Sequence, residues 1–247
     1  MIRGNLLRLK ALVRPYRCNY LSITANKGDN NAENASFADR RYAMDITGNT
    51  YSCSPHGAFP RMDDGIMSII TDEKDSSTIM RECIAADPSC ALAHILLLFE
   101  STRHGTTREL NKPEGNKEEG KGGEAAVSLS TSLHVLAELA RSGKGVLTPR
   151  EQYLSCAVEA WLRGQYARAA LVLERLMVVS DCRHDLLVLK LCQEAWIQAG
   201  QSRKVLTCVT ESGYLLDEEH LLYGDVLALH AIGLNEMGLW AEAEKVL

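Results

Sequence analysis

Apolar positions along the 247-residue chain fall into blocks of helical spacing separated by polar stretches. Ile66, Met67, Ile69 and Ile70 mark a first helix, which can start at Ser54-Pro55 or at Pro60, with Pro60 the better placed. Ile79, Met80, Cys83 and Ile84 form one face of a second, running from about Asp75 to Asp87-Pro88, where proline stops it. Ser89 is expected to cap a third, containing Leu92, Ile95, Leu96 and Phe99. Between Thr102 and Glu124 Leu110 is the one large apolar residue, so this stretch reads as a flexible insert. Periodicity resumes with Val127, Leu129, Leu133, Leu136 and Leu139. Thr148-Pro149-Arg150-Glu151 then has the form of a capping box with proline at the first helical position. Residues 18–50 show neither helical nor strand periodicity and are expected to lack structure.

Past Glu151 the helices come two to a unit, and a glycine stands in the turn within each unit: Gly164, Gly200 and Gly238, spaced 36 and 38 residues apart. Each such pair has one apolar face too large to bury alone, so neighbouring pairs are expected to stack. The resulting expectation is an all-α fold, an α-solenoid of helix-turn-helix repeats. Its parts would be a disordered or targeting region at 1–53, the first solenoid helices at 54–101, the insert at 102–124, and the repeats at 125–247. The chain stops inside the second helix of the third unit without a polar capping helix, which reads as a truncated array.

Composition and charge narrow the chemistry. The net charge is −5, and the first 28 residues carry Arg3, Arg8, Lys10, Arg14, Arg17 and Lys27 with no acid, so the rest of the chain is more acidic still. An acidic body disfavours nucleic acid as the partner. The basic start leaves a mitochondrial transit peptide as the alternative to a cytoplasmic location. Apolar runs such as Ile95 to Phe99 are too short to cross a bilayer, so no transmembrane segment is expected. The eight cysteines form no C-x-x-C pair and read as reduced core thiols. Cys182-Arg183-His184 supplies two ligands where structural zinc needs four. Asp63 and Asp64 diverge on a helix, and Gly120-Lys121-Gly122-Gly123 lacks phosphate-loop spacing. No metal, cofactor or catalytic residue is expected.

The repeat units resemble tetratricopeptide repeats, whose pattern is W-x2-L-G-x2-Y…A-x3-F…P at a period of about 34. Tyr153, Cys156, Ala157 and Ala160 precede Gly164, with Ala169 and Leu173 after it; Leu189, Cys192, Gln193 and Trp196 precede Gly200, with Val205 and Val209 after it. Leu227, His230, Ala231 and Leu234 precede Gly238, with Ala243 and Leu247 next. Ala160 is smaller than the aromatic of the pattern, and Gln193 stands where a small residue is usual. Leu147 to Gln152, Ala157 to Ala160, Gly164 to Ala169, Leu187 to Lys190, Tyr223-Gly224 and Gly238 through Glu244 are similar to the tetratricopeptide repeat protein thirty-eight family over residues 54–247, with a break at the 102–124 insert.

The resemblance implies a scaffold for protein–protein interaction without established catalysis. Its groove would be lined by the first helix of each unit, through Glu151, Leu154, Val158, Lys190, Glu194, Gln198, Asp225, Asn235 and Glu236. The basic clamp that tetratricopeptide co-chaperones use on acidic tails is replaced here by Leu154, Val158, Leu191, Asp225 and Leu229, which implies that such tails are not bound. The partner would be a protein or peptide segment, with oligomeric state open. The alternative is an enzyme or metal-binding helical protein using Cys and His residues gathered from different helices.

Overall fold

The computed structural model describes residues 41–53, 59–73, 76–103, 122–141, 147–179, 185–212 and 222–247. The expected transit peptide, most of the insert and Cys182-Arg183-His184 lie outside them. The protein is mostly helical. Among the described residues it has one antiparallel hairpin, β1 (Arg41–Met44) and β2 (Thr50–Cys53), and the helices α1 (Phe59–Ile70), α2 (Ser76–Ala86), α3 (Ala91–Arg103), α4 (Gly122–Arg141) and α5 (Pro149–Leu162). These are followed by α6 (Tyr166–Val179), α7 (Leu186–Gln198), α8 (Ser202–Thr210), α9 (Tyr223–Glu236) and α10 (Trp240–Val246). No helix among the described residues is long and apolar enough to cross a membrane. The chain divides into two compact units between Gly164 and Gln165, in the turn that follows α5.

In the first unit α3 is the centre. Every residue from Ala91 to Ser101 is buried, and the helix packs against α2, α4, α5 and β2. A helix covered on all sides is apolar nearly all round, as Ala91-Leu-Ala-His-Ile-Leu-Leu-Leu-Phe99 is. Phe99 meets Trp161 of α5 edge to face, with centroids 5.2 Å apart and planes at 84°. The turn entering α3 is closed by Asp87, whose Oδ1 accepts from Ser89 N at 3.0 Å and Ser89 Oγ at 2.7 Å. Asp87 and Ser89 thus brace the turn that leads into α3.

The hairpin corrects the expectation that residues 18–50 lack structure, for 41–53 are folded, with Ala43, Asp45, Tyr51, Ser52 and Cys53 buried. The strand signal was illegible for a physical reason. Tyr51, Ser52 and Cys53 are covered on both faces of β2, which abolishes alternation, while in β1 the large side chains Tyr42 and Met44 point to solvent.

In the second unit each helix from α6 to α10 packs on the next, and α7 also touches α9. Gly164, Gly200 and Gly238 all have positive φ, at 70°, 68° and 76°, the left-handed conformation that ends a helix tightly and that glycine adopts without steric cost. Gly233 serves closeness instead. A Cβ there would lie 2.8 Å from Leu206 Cα and 3.2 Å from Val205 O, so α9 rests directly on the α8 backbone.

Candidate functional site

The residues expected to line a groove fall into two groups, one in each unit. Glu151, Leu154 and Val158 are 0, 0 and 2% exposed, which corrects their assignment to an open surface. Leu154 belongs to the core of its unit, and Glu151 closes the predicted capping box: its N–H donates to Thr148 Oγ1 at 3.1 Å, and its Oε2 accepts from Thr148 N at 2.8 Å. Its other oxygen, Oε1, accepts from Ser52 N at 3.0 Å and Ser52 Oγ at 2.9 Å. Burial pushes the Glu151 carboxyl above its ordinary value, against the three hydrogen bonds its oxygens accept, which favour the charged form.

Arg150, beside it, is also buried and donates from Nη1 to Asp45 Oδ2 at 2.6 Å. Asp45 in turn holds the hairpin turn, its Oδ1 accepting from Thr47 N, Thr47 Oγ1 and Asn49 N. Ile46 N donates to Asp63 Oδ1 of α1 at 2.8 Å. Two adjacent residues in the first turn of α5 thus hold the turn and the second strand of the hairpin, a use of Arg150 that the sequence does not announce.

The second group forms a polar cluster on α7 and α9 of the second unit. Lys190 Nζ lies 3.0 Å from Glu194 Oε1, one helical turn apart, with the two side chains 8% and 12% exposed. Asp225 of α9 lies within the field of Lys190; burial pushes its carboxyl up, and Lys190 only partly offsets this. Gln198 and Glu236 are exposed and Asn235 is half-buried. The structure thus pairs Lys190 with Glu194, with Gln198 one turn further along α7, while Asp225 feels the Lys190 charge from α9.

Gln193, the departure from the repeat pattern, stitches the helices under this cluster. Its Nε2 donates to Val205 O of α8 at 3.2 Å and to Leu229 O of α9 at 2.7 Å. A second polar group, missed in the sequence, joins α6 to α8: Glu174 Oε1 accepts from Trp196 Nε1 at 3.0 Å and lies 3.4 Å from Lys204 Nζ. The Lys204 ammonium also stands 5.4 Å from the Trp196 ring centre, a cation–π distance. Trp196 at the aromatic position of the pattern was the available signal.

Among the described cysteines Cys53, Cys83, Cys90, Cys192 and Cys208 are buried, but Cys156 is exposed, which corrects its reading as a core thiol; His134 is exposed as well. Cys90 and His94, one turn apart at the start of α3, are 2% and 1% exposed. Burial pushes the Cys90 thiol well up, which disfavours the nucleophilic thiolate. His94 has Nε2 2.9 Å from Pro88 O and Nδ1 3.0 Å from Ser132 Oγ, so the neutral ring donates to the carbonyl and accepts from the hydroxyl. Burial lowers its tendency to protonate. Among the described residues no three His, Cys, Asp or Glu side chains gather as a metal-binding group.

No family model matches the chain, and searches of curated proteins and of solved structures find no match.

Proposed function

We propose that the chain is a tetratricopeptide-like helical-repeat scaffold, an α-solenoid similar to the tetratricopeptide repeat protein thirty-eight family, that holds a protein segment against α7 and α9. The observation that carries this reading is the Lys190–Glu194 ion pair, largely withdrawn from water on α7, a helix that packs on α9, whose Asp225 feels the Lys190 charge. Burying charges costs several kcal/mol per ion before their attraction is counted, and apolar side chains would fill the same space at less cost. A charged pair retained on a first helix that packs on the next, with Gln198 and Glu236 exposed at the ends of the two helices, suits the selection of a partner. The positive-φ glycine turns and the helix-on-next-helix packing of the second unit support the repeat reading. The reading needs neither cofactor nor catalysis.

Photo-crosslinking residues placed at Gln198 and at Glu236 test it, with Arg203 on α8 as the control. The expected result is one and the same protein adduct from positions 198 and 236 and none from 203. Equal labelling at all three, or no adduct at 198 and 236, would refute the groove.

A further inference from the structure

Met237, Leu239, Trp240 and Leu247 are all exposed, Trp240 to 66%. Four of the nine exposed large apolar side chains described thus fall within residues 237–247. Single apolar residues at a surface need no explanation, whereas a cluster of them marks a face that something covers. Beneath it lies a small core of Ala231, Leu234 and Ala243, with Leu206 and Val246 partly buried at its margin. Helix α10 packs on α9, and Trp240, Glu244 and Leu247, spaced four and three apart, share the side of α10 next to buried Ala243. The surroundings are acidic: Glu236, Glu242 and Glu244 are exposed, with Lys245 the one base between Glu236 and Leu247.

An apolar face in acidic surroundings fits an amphipathic helix with a basic flank. The chain carries such a segment at its start. Ile2, Leu6, Leu9 and Val13 recur at helical spacing, Arg3, Lys10 and Arg14 recur on an adjoining face, and Pro15 ends the pattern. We propose that residues 2–14 dock as a helix on the exposed face of α9 and α10, setting Leu6 and Leu9 against Trp240 and Leu247 and the basic flank toward Glu244.

Charge decides between this occupant and a second copy of the chain. Two copies meeting through the same face would set Glu236, Glu242 and Glu244 against their own equivalents, and like charges brought together oppose association. The segment brings the opposite sign, since no acid stands among the first 28 residues. Residues 15–40, which join it to β1, span up to about 90 Å when extended, so the tether does not limit where it docks. Attachment to the same chain also makes docking intramolecular, and a contact too weak to hold a free peptide then suffices.

The chain holds its own reporter. Of its three tryptophans Trp161 and Trp196 are buried, so emission open to a quencher comes from Trp240. The test is acrylamide quenching of the full chain, over a range of protein concentrations, beside the full-length variants Leu6→Asp/Leu9→Asp and Glu244→Lys. The expected result is a shielded Trp240 in the unaltered chain and, in both variants, stronger quenching with emission shifted to longer wavelength and far-ultraviolet circular dichroism unchanged. Adding Trp240→Phe to each protein should abolish the difference. Equal quenching of the unaltered chain and the Leu6→Asp/Leu9→Asp variant would overturn the proposal. Shielding lost on dilution would assign the face to a second copy, and a difference that survives Trp240→Phe would place the effect elsewhere; either result also overturns it.

Discussion

Gly233 shows how much one hydrogen in place of a methyl group can decide. A Cβ at 233 would sit 2.8 Å from the Leu206 Cα, an atom that cannot step aside without moving α8. Gly233→Ala gains intrinsic helix propensity of about 1 kcal/mol. Overpacking costs about 1–3 kcal/mol, and with backbone as the obstacle the clash outweighs the gain. A net loss of stability is expected, read as a lower urea midpoint; an unchanged or higher midpoint would mean that α8 yields freely. His94 acts through protonation. Its folded form resists the proton, so as pH falls through 6.5 the unfolded chain takes one up first, and stability drops until the folded pKa is passed. The raised carboxyls of Glu151 and Asp225 have the opposite sign, because the folded form binds their protons more readily and stability falls as pH rises through their folded values. His94→Gln separates these contributions: between pH 7.5 and pH 5.5 its Tm should fall less than that of the unaltered chain. An equal fall in both proteins would assign the pH dependence to other groups.

At the scale of elements the hairpin is the most instructive piece. Two short strands are marginal by themselves, and this pair is secured by Asp45 to Arg150, Ser52 to Glu151 and Ile46 N to Asp63. Removing one member of a buried ion pair costs about 3–5 kcal/mol, whereas replacing both by apolar residues is often nearly neutral. Asp45→Ala should therefore strip amide-exchange protection from residues 42–53, and Asp45→Ala combined with Arg150→Met should restore part of the lost stability. If the double variant is as unstable as the sum of the singles, the pair is not the tie proposed here. The helices carried their own signals: the capping box at Thr148 to Glu151, the stop at Asp87-Pro88 and the glycine turns at 164, 200 and 238 all lie in local sequence. The hairpin did not, because its burial is imposed by α3 and α5 and not by any alternation of its own residues.

For the whole molecule, two units with separate cores follow from the contact pattern, one centred on α3 and the other running from α6 to α10. Asp45→Ala should lower exchange protection in 41–164 and leave 165–247 as it was, with Gly233→Ala doing the reverse. Loss across both units from either change would show a single cooperative body.

Sequence by itself determined the helical class, most helix ends, the glycine turns and the polar identity of Lys190, Glu194 and Asp225, because periodicity, caps and left-handed turns are properties of neighbouring residues. Tertiary structure alone decided that Glu151, Leu154 and Val158 are interior, that Arg150 reaches Asp45 across 105 positions of chain, and that Gln193 ties α7 to α8 and α9. Helical periodicity says that a residue lies on a face, and burial depends on what the rest of the chain brings against that face.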